Sequence, residues 1–595
     1  MTEFRRTLLL VVLMMSLLML YDKWRIHHGD TSFLSPKPAA TTPVATSPAA
    51  SAATVHDNAV AAATAASGAA SGVAVNLPVE DVTIQTDLVK ARLSTLGGDL
   101  VDLDLLKYQE VDNHSEIWRQ MKGLVGMHDV VPPKTDVKVF DTNNAQFYAA
   151  QTGLAGLHGD ALAHSVMRLA STERALADGK NELVLRFESP EIDGVQLVKT
   201  YTFHRGSYAV DVAHEVVNHS GAAIKPDLYL QLVRDGRMPA GGYLNGPSSF
   251  TGPAVYRDDS FHKIDFSDID KDEKKAKLSI DHDKTSDNGW VAMIQHYFAS
   301  AWIVAPGTSR TYSVGKLDAN VHGQATYYAA MFTPVGTVAP GSTQTVKATL
   351  FAGPQEEKLL APLAPNLEQV KDYGRLKIIA QPLFWLLSKI HTVIGNWGWS
   401  IVALVVLLKI AFYGLNANAY RSMAKMKAVN PRIQELNVRY KDNPQQKQQE
   451  IMKIYREEKV NPLGGCLPIL IQMPIFIALY TVLTSSAEMR GAPWMGWIHD
   501  LSIMDPYAIL PILMTATSLI QVSLQPTPAD PVQAKMMWLM PLAFSAALFS
   551  FPAGLTLYWV TNNALTILQQ WMINRGIEGA KAKGVKATDA KIVKG

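Results

Sequence analysis

The sequence of 595 residues has a single cysteine, Cys466, so no intramolecular disulfide is possible. Any exported domain must therefore rely on its own packed core. A dominant charge sign is missing too: 55 Lys and Arg face 53 Asp and Glu, a net of +2. That balance excludes the broad basic field of a nucleic-acid binder, and no specific nucleic-acid site is expected. No GxxxxGK[ST] run is present to cradle a nucleotide's phosphates. His214, Glu215 and His219 lie close together, as do Asp281, His282 and Asp283, but neither set has a metal-ligand spacing. Strand alternation places His214 and Glu215 on opposite faces. No catalytic residue, metal or cofactor is predicted.

What is present falls into two regimes. Up to about residue 360 the chain, apart from its first 25 residues, is polar and mixed; beyond it, long uncharged runs dominate. Residues 1–25 carry Arg5 and Arg6 and then an uncharged stretch from Thr7 to Tyr21. This is a signal-anchor pattern, because bulky, charged Tyr21–Arg25 follows where a small-residue cleavage site would be needed. A cut deferred to Ala49–Ala53 is the competing reading. Residues 26–78, rich in Ala, Thr, Ser and Pro, hold too little bulky apolar surface to fold and are predicted to be a flexible tether. Residues 79–355 alternate at period two in several places, such as Val82–Thr86 and Tyr208–Val212, with turn signals between. They predict a large β-sandwich domain, with Asp258–Asp287 as a charged surface excursion. Residues 356–396 form an amphipathic region, expected to lie at a membrane interface with Trp385 at headgroup depth.

The segment 397–416 is uncharged except for Lys409 and reads as a transmembrane helix. An ammonium group within such a helix costs roughly 2.5–3.5 kcal/mol on insertion scales. Either its stem snorkels to the headgroups, or the charge faces a wet, protein-lined cavity. Residues 417–463 carry an excess of Lys and Arg on a pair of amphipathic helices broken at Asp442-Asn443-Pro444. The positive-inside rule makes this a cytoplasmic hairpin. Further spans are predicted at 464–487, 506–525, 536–552 and 554–574, before a basic tail at 575–595. Cys466 is expected to be a small buried residue rather than a lipid anchor. The last span is unusually polar, with Tyr558, Asn562 and Asn563.

The expectation is an α-helical polytopic membrane protein of six transmembrane helices with a large β-sandwich domain. Counting spans from a cytoplasmic N-terminus puts the sandwich outside and both the hairpin and the C-terminus inside. That agrees with the distribution of Lys and Arg.

Four motifs then carry a resemblance: NPLGGCLPILIQMPIFIALY at 461–480, YRSMAKMKAVNPRIQEL at 420–436, GWVAMIQHYFASAWI at 289–303 and FPAGLTLYWVTNNALTILQQ at 551–570. Over essentially its whole length the chain resembles the YidC family of membrane protein insertases of Gram-negative bacteria. The resemblance implies an inner-membrane insertase and chaperone, not an enzyme, working alone or with the Sec translocon. It implies as partners nascent membrane proteins, the ribosome, the translocon's accessory subunits and membrane lipids. It also implies a hydrophilic groove lined by Lys409, Gln472, Tyr558, Asn562 and Asn563, with Lys409 where enterobacterial relatives have arginine. Arg421, Met423, Lys425, Met426, Lys427 and Arg432 would form a cytoplasmic capture surface. The outer domain resembles a sugar-epimerase-like sandwich, with no activity implied. Two other classes remain open: a small-solute secondary transporter, which calls for internal repeats, and a membrane-anchored periplasmic carbohydrate-binding protein.

Overall fold

A computed structural model describes residues 78–110, 135–143, 146–156, 159–163, 165–237, 250–274, 284–321, 323–440, 443–458, 467–525, 531–549 and 551–582. The predicted anchor, nearly all of the tether, Cys466, the Asp281-His282-Asp283 cluster and most of the basic tail lie outside the described residues.

Two antiparallel sheets of nine strands each build the sandwich. One runs in space through Asp81–Gln85, Val89–Ser94, Leu100–Gln109, Tyr148–Ala155, Asp227–Asp235, Gln324–Pro334, Arg310–Val321 and Lys284–Ser286, with Asp136–Phe140 paired to Leu100–Gln109. The other runs through Ser260–Lys263, Gly252–Arg257, Trp290–Ile294, Phe298–Val304, Thr343–Pro354, Ala209–Asn218, Val195–His204, Glu182–Glu188 and Arg168–Leu169. Period-two strands such as Glu182–Glu188 bury every second residue, placing Leu183, Leu185 and Phe187 in the core. Central strands such as Phe298–Val304 are buried on both faces and read as near-continuous apolar runs. Trp290 and Trp302 are fully buried, and the Trp302 indole donates to the Gln231 carbonyl of the opposite sheet at 3.1 Å.

Polar groups also join the sheets. Lys199, buried completely, donates to the carbonyls of Gly97 and Thr152 and lies 3.5 Å from the Asp99 carboxylate. His214 bonds the Thr152 hydroxyl at 2.8 Å. Burial, with the Lys199 charge nearby, pushes the His214 imidazole down to about 3. His214 faces this core, Glu215 pairs with Arg186 at 3.3 Å on the outer side, and His219 meets Glu191 in an exposed turn. The three therefore share no site.

Two boundaries differ from expectation. The charged excursion folds in part: the strand Ser260–Lys263 and the helix Phe266–Lys274 pack Ile264, Phe266 and Ile269 onto the sandwich core. Spaced apolar residues within a charged stretch were enough to dock it. The sandwich also extends past 355, because Leu360, Ala364, Leu367 and Val370 join its core. The bundle's own packing begins at Tyr373.

The helices of the second half are α1 (Lys377–Ile394), α2 (Trp397–Ala411), α3 (Tyr413–Arg439), α4 (Pro444–Glu457), α5 (Leu467–Ser485), α6 (Ile509–Leu524), α7 (Pro531–Leu548) and α8 (Ala553–Ala582). Helix α1 is amphipathic. Ala380, Leu383, Phe384 and Leu387 pack on α2 and α5, while Ile378, Trp385 and Val393 are exposed. Among the described residues no single helix is long and apolar enough to cross a membrane. The α2–α3 pair meets that test together, bent by 68°. Helix α2 ends at Ala411 rather than continuing to 416, so Lys409 lies in its last turn. A cation there is favoured by the unsatisfied carbonyls at a helix C-terminus.

The two halves meet through specific contacts. Lys371, 2% exposed, pairs with Glu488 at 2.9 Å and stands over the Phe384 ring at 3.6 Å. Desolvation pushes the Lys371 ammonium down and the Glu488 carboxyl up, and each partner's charge opposes that shift. His296 contacts the Thr484 carbonyl at 2.8 Å, at the end of α5.

Candidate functional site

The site is set by which face of α2 turns inward. Val406, Leu407 and Ile410 are exposed, whereas Val405 is buried and Lys409 half-buried. The inward face carries Val405, Leu408, Lys409 and, past the bend, Phe412 and Asn416. These line a narrow cleft with Gln472 and Ile475 of α5 and with Tyr558 and Asn562 of α8. Its enclosed space is about 10 Å³, room for roughly one water.

The Lys409 ammonium donates to the Thr566 hydroxyl at 2.8 Å, and that hydroxyl donates to the Asn562 carbonyl at 2.7 Å. No carboxylate pairs with Lys409 among the described residues. The Gln472 amide donates to the Tyr558 hydroxyl, tying α5 to α8. Stacked Phe476 and Tyr558 and edge-on Trp559 continue the same contact.

Asn563 departs from the predicted set. It is 3% exposed and donates to Thr517 at 3.2 Å and Ser518 at 2.9 Å, both on α6. Adjacent helical residues point about 100° apart, so Asn562 and Asn563 serve different neighbours. Helix α8 thus carries two polar stripes. Tyr558 meets α5; Asn562, Thr566 and Gln569 face α2 and α3, and Asn563 and Gln570 face α6. Sequence reasoning missed Thr566, Phe412 and Asn416. The i, i+4, i+8 spacing of Tyr558, Asn562 and Thr566 was the available signal.

At the end next to the sandwich the bundle is tightly packed. Asn396 caps α2 by accepting from the Trp399 amide, and its own amide donates to the carbonyls of Pro493 and Trp494, both at 3.1 Å. A Cβ at Gly398 would lie 2.2 Å from the Trp494 ring, so only glycine permits this approach. The loop after α5 also receives the start of α8: Ala553 and Gly554 donate to the carbonyls of Ile503 and Leu501.

At the other end, α3 and α4 fold back on each other around Val429, Ile433, Ile451, Ile454 and Tyr455. Asn443 caps α4 and Pro444 opens it. Arg421, Lys425, Lys427 and Arg432 are exposed, with Arg432 bridging to Glu458 at 2.7 Å. Met423 and Met426 are half-buried, and Met426 packs against the hairpin's small core.

Residues 389–581 match the family described as 60Kd inner membrane protein, and residues 81–123 and 124–386 match the YidC periplasmic domain. The chain is 47% identical over 588 residues to the membrane protein insertase YidC of Cupriavidus necator, covering 98% of this chain and 99% of that one. It is also 47% identical over 580 residues to the membrane protein insertase YidC of Ralstonia nicotianae, covering 96% and 98%. A crystal structure of an active YidC insertase with its first transmembrane domain resolved matches at 16% identity and a TM-score of 0.36, covering 82% of this chain and 93% of that one.

Proposed function

The chain belongs to the YidC family of membrane protein insertases, and from that premise we propose that it passes its clients through the cleft beside Lys409. As a family member it is an inner-membrane protein with a periplasmic sandwich, and nascent membrane proteins are its clients. The observation that carries the mechanism is an inward-facing ammonium group whose partner among the described residues is one neutral hydroxyl.

The physical task is to move a short polar segment across about 30 Å of hydrocarbon. Helix α2, with 15 residues, rises only about 22 Å before the bend. The polar cleft lies at the bent end, so a client that reaches it has less hydrocarbon to cross. Lys409 attracts acidic groups of the arriving segment, and the attraction is strong because the surroundings screen poorly. Exit of the client's apolar helix into lipid then releases the hydrophobic free energy that drives the step. The capped and glycine-tight outer end keeps the cleft from opening to the periplasm. The exposed cations Arg421, Lys425, Lys427 and Arg432, with Met423 and Met426, form the first contact surface for the chain and ribosome. The six-span topology, cytoplasmic termini and cooperation with the Sec translocon belong to the same proposal.

The test is site-specific crosslinking from positions 409 and 472 to a stalled nascent membrane protein. Adducts at both positions are expected. Adducts confined to lipid-exposed positions such as Leu407 and Ile410 would remove the cleft from the route.

A further inference from the structure

A second polar cavity lies at the junction of the two halves, away from Lys409. It is a cleft of about 290 Å³ between strand ends and turns of the sandwich and the loop that follows α5, close to the lower end of small-molecule pockets, about 300 Å³. Arg234, Arg490, Lys138, His296, Tyr297 and Glu110 are among its lining residues.

Its cations are unequally satisfied. Lys138 is held by Asp102 at 3.0 Å and Asp104 at 3.3 Å. Among the described residues Arg234, only 6% exposed, lies over the Tyr148 ring at 5.6 Å and makes one long hydrogen bond from Nη2 to the Arg237 carbonyl at 3.4 Å, and its buried Nη1 has no hydrogen-bond partner. Neighbouring Asp235 is already occupied, accepting from the amides of Phe147 at 2.9 Å and Arg237 at 3.3 Å. Arg490 donates from Nη2 to the Gln109 carbonyl at 2.6 Å, yet its buried Nε also has no hydrogen-bond partner among the described residues. The Tyr297 and Phe298 rings hold that guanidinium in place at 5.6 and 5.5 Å. Tyr297 itself has φ 65°, a left-handed conformation that non-glycine residues seldom adopt.

Two arginines, each with a buried donor atom that has no hydrogen-bond partner among the described residues, thus line one cavity whose described lining carries one carboxylate, Glu110. Guanidinium forks match tetrahedral and planar oxyanions. The cleft also sits at a definite level. His296 binds the last turn of α5, and Ser502 and Ile503 of the lining adjoin the Met504–Pro552 bridge before α8. In the topology of the proposed function, on which this inference rests, that is the outer end of the bundle, at the level of the lipid headgroups.

We propose that this cleft is an anion site that takes a phosphate group, carried either by an anionic phospholipid headgroup or by free phosphate in the periplasm. Occupied, it would tie the sandwich to the bundle through one shared anion.

The test uses the full chain in two arms: retention of phosphatidylglycerol over phosphatidylcholine, by native mass spectrometry from nanodiscs, and the shift of the unfolding midpoint with inorganic phosphate at constant ionic strength. Because Arg234→Gln can destabilise the sandwich from an interior strand, Arg490→Gln is the main variant, checked for folding by gel filtration. At least one response is expected in the wild type. It should be weakened about tenfold in Arg490→Gln, as for one charge-assisted hydrogen bond lost. Lipid retention without a phosphate response assigns the headgroup, and a phosphate response alone assigns the free anion. Equal responses of the wild type and Arg490→Gln to both probes overturn the proposal. So does a folded wild type with no response whose midpoint falls on Glu110→Gln, since Glu110 would then be the internal counter-ion.

Discussion

Lys199 in the sandwich and Lys409 in the bundle are both lysines withdrawn from water, and their surroundings differ in kind. Lys199 has two carbonyls and a carboxylate. Lys371 at the junction likewise has a carboxylate and an aromatic face. Among the described residues Lys409 has one neutral hydroxyl. A buried cation with a full set of oxygens is a fastening, since removing it strands its partners. A cation with one weak partner holds little together, and its unspent attraction remains available to a passing ligand. Burial alone does not mark a functional lysine; the shortage of partners does.

The largest expected effect breaks a fastening. Lys371→Met leaves Glu488 buried and unpaired, and should cost about 3–5 kcal/mol in denaturant unfolding of the full chain. Adding Glu488→Leu should restore most of it. A double variant as unstable as the single would show that the pair is not the junction's fastening.

Gly398→Ala comes next, at about 1–3 kcal/mol, because the new methyl meets the Trp494 ring and the outer closure must shift. A shortened Trp494 side chain should rescue it.

Third is a pH effect confined to the sandwich. His214 titrates at about 3 when folded and near 6.5 when unfolded, so between those values the unfolded chain binds the extra proton. Stability therefore falls as pH drops below 6.5, at no more than about 1.4 kcal/mol per pH unit. His214→Gln should flatten that slope, and an unchanged slope would assign it to other groups.

The smallest effect on stability is expected at the site itself. Lys409→Met should change unfolding by less than about 1 kcal/mol, since it removes a desolvated charge and strands only a hydroxyl. Insertion of acidic-tailed clients, however, should fall with Lys409→Met or Lys409→Ala and persist with Lys409→Arg. Normal insertion by the alanine variant would reduce Lys409 to a packing residue.

Much of the architecture could be read in one dimension. Alternation in 182–188 and turn signals near Gly97 and Asp193 announce strands, because a half-buried strand must alternate. Lys409 stood out because a charge within an apolar run is costly. Its surroundings were less legible. Asn563 looks as polar as Asn562, yet one turns to α6 and the other to α2, and the difference is only the helical angle between them. Thr566 carries no signal of its own; its role depends on being brought opposite Lys409 from a distant helix. The bend at Phe412 was also hidden, since the run 410–416 stays uncharged through it.

Local chemistry therefore settled the class of each segment: sandwich, basic hairpin, uncharged helix and the lone ammonium within it. Periodicity and charge are properties of neighbouring residues, and they act before any long-range contact forms. Folding settled which cations find oxygens and which do not. That outcome depends on atoms more than a hundred positions apart coming within 3 Å, as Lys409 and Thr566 do, and no local pattern encodes such a distance.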